Sequence, residues 1–298
     1  MTRLITDDIQ DIYDQLVRHD QLLVSVTGRT LLGLAAWASG LSLSDVAHIQ
    51  RLALGIKMAV VPIRSGLGVI SGFAEAVCGI LVHLGFAASV PGHSDVAGFA
   101  DAVDMGAQVI FAADDDRFVA FCPRQGKTVG NARATARGFV AGLDLMAGGL
   151  DGKDALVIGC GPVGRWAVEA LLTRKAKVCV VDRVAQKATD LAEWTRETFQ
   201  TTIRVATDPD QALFTHHLIV EATNAVDVIR TRHVTAHTRV AAPGMPCGIT
   251  PRAREKLAGW LLHDPLQIGV AVMACEAVCT ILGKPTPVCP TGRDGASA

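Results

Sequence analysis

The stretch that most limits what this chain can fold into is Gly159-Cys160-Gly161-Pro162-Val163-Gly164, which fits G-x-G-x-x-G. Alone the pattern is weak, because glycines also serve ordinary turns and close packing. Its surroundings give it meaning. It follows the apolar run Ala155–Ile158 and opens a segment carrying Ala167, Val168, Ala170 and Leu171. A strand, a glycine turn and a helix start in that order form the phosphate-binding corner of a Rossmann fold. Gly159 permits the tight turn, Gly161 lets the backbone approach a pyrophosphate, and Gly164 lets helix and strand pack closely. Pro162 and Val163 open the helix, at a point where a missing N–H costs little. The positive helix end then faces the pyrophosphate.

The next apolar run, Val178–Val181, ends at Asp182. A carboxylate there can accept hydrogen bonds from both ribose hydroxyls and repels a 2′-phosphate, so NAD is the expected cofactor rather than NADP. Arg183 argues in the other direction, since a guanidinium can face either the adenine or a phosphate. Two later strand ends are Glu221-Ala222-Thr223-Asn224 and Ala242-Pro243-Gly244. Ligands of such sheets lie beyond the carboxyl ends of the strands, so Ala222, Thr223 and Pro243 should face the cofactor on its nicotinamide side.

Composition agrees with this fold. Of 298 residues, 50% are hydrophobic, 19% are charged and 5% are aromatic, with a formal net charge of −1. The balance gives no basic footprint for nucleic acid or an acidic membrane surface. The apolar mass is too great for a disordered chain. A mean hydropathy of +0.33 raises the question of a membrane span. The most apolar stretch, Leu67–Val90, contains Glu75 and His83, which reads as a buried helix and strand. The opening residues turn acidic at Asp7 and Asp8, too early for a secretion signal. Eight scattered cysteines with no Cys-x-x-Cys fit buried thiols in a reducing cytoplasm. The long apolar helices hint at a homodimer.

The chain divides into an N-terminal helical bundle (1–57), a small α/β substrate domain (58–124), a Rossmann domain with connecting and C-terminal helices (125–284) and a tail (285–298). In the first part, Ile9, Ile12, Leu16 and Val17 form one helix face, and Ser44 opens a second helix. In the second, strands at Met58–Ile63, Phe86–Val90 and Gln108–Ala112 alternate with helices at Leu67–Leu84 and Asp95–Met105, implying parallel βαβ units. In the third, the helices Pro162–Thr173 and Gln186–Phe199 alternate with strands, and Gln267–Leu282 is a uniformly apolar final helix.

Two strand ends of the middle part carry chemistry. Asp114-Asp115-Asp116-Arg117 follows one strand. It can be a solvated turn capped by one Asp, an acid/base site, or a magnesium or calcium site. Pro62-Ile63-Arg64-Ser65-Gly66-Leu67-Gly68 follows another and precedes a helix. Its N–H groups, with the hydroxyls of Ser65 and Ser71, can hold an anionic group such as a carboxylate. Both lie at carboxyl ends of strands and can face one cleft.

These residues resemble those of the dehydrogenases that complete pyrrolysine biosynthesis. The resemblance runs through Leu4, Val61-Pro62 with Ser65-Gly66, Phe73, Asp95-Val96, Ala113-Asp114-Asp115 with Phe118, and Asn131. It continues through Glu221-Ala222-Thr223, Pro243-Gly244, Pro246-Cys247 and Pro265-Leu266 with Ile268-Gly269. It implies the three-part architecture above and a dipeptide-like small-molecule substrate, 3-methylornithyl-N6-lysine. The terminal amine of the ornithine part is oxidised by NAD to an imine. Ammonia leaves, and the aldehyde condenses with the internal amine to a pyrroline ring. Leu4, Phe73, Asn131 and the serine loop would shape the substrate pocket. The family pattern has Asn where this chain has Asp116, and the middle residues of the glycine fingerprint differ. An ammonium must lose a proton before it can release hydride, and a neighbouring carboxylate can take it. Asp114 is the expected base and Asp115 its support.

Two other readings compete. One is a dehydrogenase of the shikimate or dipicolinate-synthase type, although the Lys–Asp pair of a shikimate-type site has only Lys57 to draw on before Lys127. The other is a non-catalytic NAD-sensing module.

Overall fold

The computed structural model describes residues 4, 6–9, 12–66 and 70–285. Leu67 and Gly68 of the serine loop and the tail from 286 onward lie outside these described residues, as do the side chains of Asp7 and Asp8. The described residues form two compact units: one runs to Gly138 and resumes at Asp264, and the other is Phe139–His263.

The first unit opens with α1 (Thr6–Ile9), α2 (Ile12–Thr27), α3 (Leu31–Ala38) and α4 (Leu43–Ala53). Ile9, Ile12 and Leu16 are buried, but Val17 points outward at 66% exposure. The start expected at Ser44 moves two residues back. Ser42 caps α4 and exchanges hydrogen bonds with Asp45, so both ends of a capping box are present. Lys284 also bonds to Asp45, and these donors hold that carboxyl well below the usual range.

The rest of this unit is β1 (Lys57–Val61), α5 (Phe73–His83), β2 (Ala87–Ser89), α6 (Asp95–Asp104), β3 (Val109–Ala113), β4 (Phe118–Cys122), β5 (Lys127–Gly130) and the first half of α7 (Asn131–Met146). The strands form one sheet in the order β2-β1-β3-β4-β5. β2, β1 and β3 are parallel, as the strand–helix alternation implies. β4 and β5 are antiparallel additions that the sequence reading left out. Pro123 after the short apolar run Phe118–Cys122 looks like the end of structure, yet it opens the turn between two paired strands.

The second unit holds β6 (Asp154–Ile158), α8 (Pro162–Thr173), β7 (Lys177–Val181), α9 (Ala185–Phe199), β8 (Arg204–Val205), α10 (Pro209–Thr215), β9 (Leu218–Glu221), β10 (Arg239–Ala241), α11 (Pro251–Leu257) and β11 (Leu261–Leu262). Its sheet is parallel throughout, in the order β11-β10-β9-β6-β7-β8. That is a doubly wound sheet whose order reverses beside β6. β6, β7 and β9 have buried centres, which explains their near-continuous apolar runs.

The last helix, α12 (Gln267–Ile281), corrects the expected domain boundary. It belongs to the first unit, not to the dinucleotide-binding one. Residues Gln267–Cys279 are all buried, and α12 packs on α3, α5, β4 and β5. Cys122 Sγ reaches the carbonyl of Ala277. A nearly buried ion pair, Arg137 Nη1 to Glu276 Oε1 at 2.7 Å, ties α12 to α7. Breaking such a pair by removing one partner costs about 3–5 kcal/mol. The apolar surface of α12 that hinted at a second copy is therefore covered within its own unit. Among the described residues, no helix is long and apolar enough to cross a membrane.

Candidate functional site

In the first unit, strand register brings the expected substrate residues to one end of the sheet. Val61, at the end of β1, lies opposite Ala112, and Ala113, at the end of β3, pairs with Phe118. Gly130, at the end of β5, pairs with Val119 near the start of β4. The Ser65 loop, the Asp114–Arg117 turn and Asn131 therefore leave the same sheet edge. Gly66 has φ +74°, and a Cβ there would overlap Asp115 Oδ2 and lie 3.0 Å from its Cγ. The serine loop and the acidic turn are in direct contact.

Asp114 is the capping Asp of its turn. Its Oδ1 accepts from the N–H of Asp116 at 2.9 Å and of Arg117 at 2.7 Å, and its own N–H donates to the Arg117 carbonyl. These bonds fix the direction of an exposed carboxylate. The solvated-turn and acid/base readings are compatible in one residue. Asp115 and Asp116 are also exposed. Among the described residues, no group of three or more His, Cys, Asp or Glu side chains could hold a metal ion.

Phe73 opens α5 and meets Phe118 edge-on, ring centroids 5.3 Å apart. It is half-buried, serving the core while reaching the edge that carries Asp114. Ser65 and Ser71 are exposed, and Leu4 is half-buried. Asn131 begins α7 and accepts from Thr135 Oγ1 at 3.1 Å. The start of α12 comes so close that a Cβ on Gly269 would stand 2.8 Å from Asn131 Oδ1.

In the second unit the glycine fingerprint takes the expected form. Gly159 turns at φ +93° after β6, and a Cβ would press on the Ala222 carbonyl at 2.7 Å. A Cβ on Gly164 would overlap the Gly159 carbonyl. A Cβ on Gly161 would meet nothing within 4 Å. No protein atom requires a glycine there, and the space before the start of α8 is open. Pro162 is the first residue of α8, with half-buried Val163 next to it. Asp182 closes the loop: Oδ2 accepts from Cys160 N–H at 2.7 Å and Oδ1 from Val184 N–H at 2.8 Å. Burial and the Asp182 charge push the Cys160 thiol up to about 12. Arg183 is exposed just beyond. Ala222, Thr223 and Pro243 follow β9 and β10, on the other side of β6 from Asp182.

Residues 8–129 match the family model of the pyrrolysine biosynthesis protein PylD, N-terminal domain, and residues 144–245 match that of shikimate / quinate 5-dehydrogenase. The pyrrolysine synthase of Methanosarcina barkeri (strain Fusaro / DSM 804) is 30% identical over 275 residues, covering 92% of this chain and 97% of that protein. The chain belongs to the pyrrolysine synthase family. The pyrrolysine synthase of Methanosarcina acetivorans is also 30% identical, over 92% of this chain and 98% of its own length. Two solved structures share the fold. Shikimate dehydrogenase from Aquifex aeolicus has TM-score 0.53 at 18% identity, covering 78% of this chain and 94% of that one. Quinate dehydrogenase from Corynebacterium glutamicum has TM-score 0.52 at 15% identity, covering 76% and 94%. This member of the pyrrolysine synthase family is an oxidoreductase with a dehydrogenase fold.

Three residues that the resemblance names take roles here that it did not assign. Asp95 has φ +56°, accepts from Arg64 N–H at 2.8 Å and donates its own N–H to the Pro62 carbonyl, clamping the serine loop. Glu221 is fully buried at the end of β9, where an acidic residue closing an apolar strand was the available signal. Burial pushes its carboxyl up, against hydrogen bonds from Thr223 and Gly248 and the charge of His263. Cys247 lies beside His263, whose Nδ1 donates to the Ala242 carbonyl at 2.8 Å. Burial raises that thiol, but the hydrogen bond and charge of His263 outweigh it and the Cys247 pKa falls.

Proposed function

We propose that the protein is an NAD-dependent dehydrogenase that oxidises the terminal amine of 3-methylornithyl-N6-lysine and yields pyrrolysine after ring closure. The observation that carries this reading is the contact between the Ser65-Gly66 loop and the Asp114-Asp115 turn, in a chain of the pyrrolysine synthase family. Gly161, Pro162 and Gly164 would hold the pyrophosphate, and Asp182 the adenosine ribose. Asp182 favours NAD over NADP. When bound, the nicotinamide supplies the hydride acceptor.

Asp114 takes a proton from the substrate ammonium, and the free amine can then give up the hydride from its carbon. The turn N–H groups of Asp116 and Arg117 hold the carboxylate in place for this. Water adds to the resulting iminium, ammonia leaves, and the aldehyde closes on the internal amine with loss of water. Asp115 supports the serine loop, whose hydroxyl and N–H groups bind a substrate carboxylate. Leu4, Phe73, Ser71 and Asn131 complete the pocket. Described cysteines that are all free thiols are in keeping with a cytoplasmic enzyme.

A shikimate-type substrate is disfavoured by Lys57. It begins β1, at the sheet edge opposite the Asp114 turn, and its Nζ donates to the Met105 carbonyl. The deciding experiment incubates the protein with NAD and 3-methylornithyl-N6-lysine, with shikimate and quinate as controls. NADH absorbance should rise with the dipeptide alone, and the product should be lighter by one ammonia and two hydrogens. A rise with shikimate instead, or with no substrate tested, would overturn the reading.

A further inference from the structure

We infer that Glu221 is a positioning residue that locks the two nicotinamide-side loops of the dinucleotide site into one rigid body. The inference rests on the dinucleotide-binding reading above and goes further by assigning a role to a residue that no ligand would touch.

Glu221 ends β9 with 0% exposure. Its Oε1 accepts from the Thr223 N–H at 2.9 Å and from Thr223 Oγ1 at 2.5 Å. Its Oε2 accepts from the Gly248 N–H at 3.2 Å, and its backbone carbonyl from the Gly244 N–H at 3.1 Å. One residue thus holds the loop after β9, residues 222–225, and the loop after β10, residues 243–248. The loop glycines are fitted to it. A Cβ on Gly248 would stand 2.8 Å from Glu221 Cδ, and one on Gly244 2.7 Å from Glu221 Oε2. Neither glycine has a positive φ; close approach explains both, of Gly248 to the Glu221 carboxylate, and of Gly244 first to the Thr223 carbonyl, which a Cβ would overlap, and then to Glu221 Oε2. Thr223 Oγ1 passes the constraint on by accepting from the Ala225 N–H at 3.1 Å.

Sheet order says which half of the ligand this affects. Asp182 leaves β7 on one side of β6, and the two loops held by Glu221 leave β9 and β10 on the other. With the adenosine ribose at Asp182 and the pyrophosphate at the β6–α8 turn, the remaining nucleoside half runs toward β9 and β10. A carboxylate buried this deeply persists only when its lone pairs are satisfied. Loss of either loop's N–H groups would therefore release both loops together.

The test separates the two halves of the ligand. NAD and ADP-ribose are titrated calorimetrically against the wild type, Glu221→Gln and Gly248→Ala. Glu221→Gln puts an NH2 group among N–H donors, and Gly248→Ala pushes on the carboxylate from the loop side. Both variants should weaken NAD at least about tenfold while ADP-ribose changes less than about twofold. Equal weakening of both ligands would mean that Glu221 merely supports the fold, and unchanged NAD affinity would mean that it positions nothing; either overturns the inference. A wild type that binds neither ligand overturns the cofactor reading itself, a result distinct from both.

Discussion

The backbone of Gly66 rests directly on the carboxylate of Asp115, with no room for a side chain between them. The contact joins the loop expected to bind a substrate carboxylate to the turn expected to hold the base. Gly66→Ala places a methyl group into Asp115 and an L-residue at φ +74°, a strain of about 1–2 kcal/mol. Turnover with the dipeptide should fall while NAD affinity holds. Adding Asp115→Ala to Gly66→Ala should recover part of the loss, because the double change removes the collision. Strict additivity in that cycle would show that the two residues act separately.

Asp114→Asn keeps the shape of the turn and removes the base. A catalytic group of this kind contributes about 10²–10⁴-fold, so kcat should drop by at least about 10² with NAD binding unchanged. Stopped-flow NADH formation is the direct measurement. Full activity in the variant would return Asp114 to a purely capping role.

Asp182 uses both oxygens on backbone N–H groups, one of the glycine turn after β6 and one of its own turn after β7. Asp182→Ala should weaken NAD and raise the relative use of NADP, since the charge that repels a 2′-phosphate is gone. Kinetics with each cofactor would reveal the change in preference. An unmoved ratio would point to Arg183 as the discriminating side chain.

Gly164→Ala is expected to be the most damaging single methyl group in the second unit, because its Cβ would overlap the Gly159 carbonyl. Helix α8 must move off β6, and the phosphate corner opens. ADP-ribose and NAD affinities should both collapse, unlike the split expected for Glu221 variants. Gly161→Ala, which meets no protein atom, should leave the melting temperature unchanged and still weaken both ligands.

His19 and Asp264 face each other at 3.5 Å within the first unit, with both side chains nearly buried. The distance is long for a hydrogen bond, and the pair is best described as a charge contact. Burial opposes the charged imidazole, but Asp264 and then Asp20 outweigh it, so the His19 pKa is raised. A raised folded-state pKa gives stability that is present below the unfolded value near 6.5 and lost as pH rises through the folded value. The wild type should therefore melt about 2 °C above His19→Gln at pH 6, and the margin should narrow by pH 8 or above. A margin independent of pH would mean that packing, not charge, is what His19 contributes.

Much of the second unit was legible because its signals are local. The fingerprint, the strand before it and Asp182 lie within one short βαβ run, and α8 spans Pro162–Thr173 as expected. The first unit was harder, because its order depends on pairing at a distance. Phe118–Cys122 fits no strand–helix alternation, and it becomes a strand through antiparallel pairing of Ala113 with Phe118 and of Val119 with Gly130. Asp114 could be read as cap or base, but no spacing reveals that Asp115 touches Gly66. Glu221 was visible as a strand end, and its role depends on Gly244 and Gly248, more than twenty residues away in the chain. Val17 sits in α2 with the buried Ile12 and Leu16 but faces outward, because at 3.6 residues per turn a position five after Ile12 lies about 140° round the helix from it, whereas Leu16, four after, stays on the same face.

The assignment of α12 to the first unit has a consequence for the order of synthesis. A ribosome making this chain completes residues 139–263 before it makes the helix that covers α3, α5 and β4. Until then the earlier segment carries an apolar groove with nothing in it, a hazard for any nascent protein. The unit begun first is therefore the one finished last, because its final helix follows the whole of the other unit in the chain.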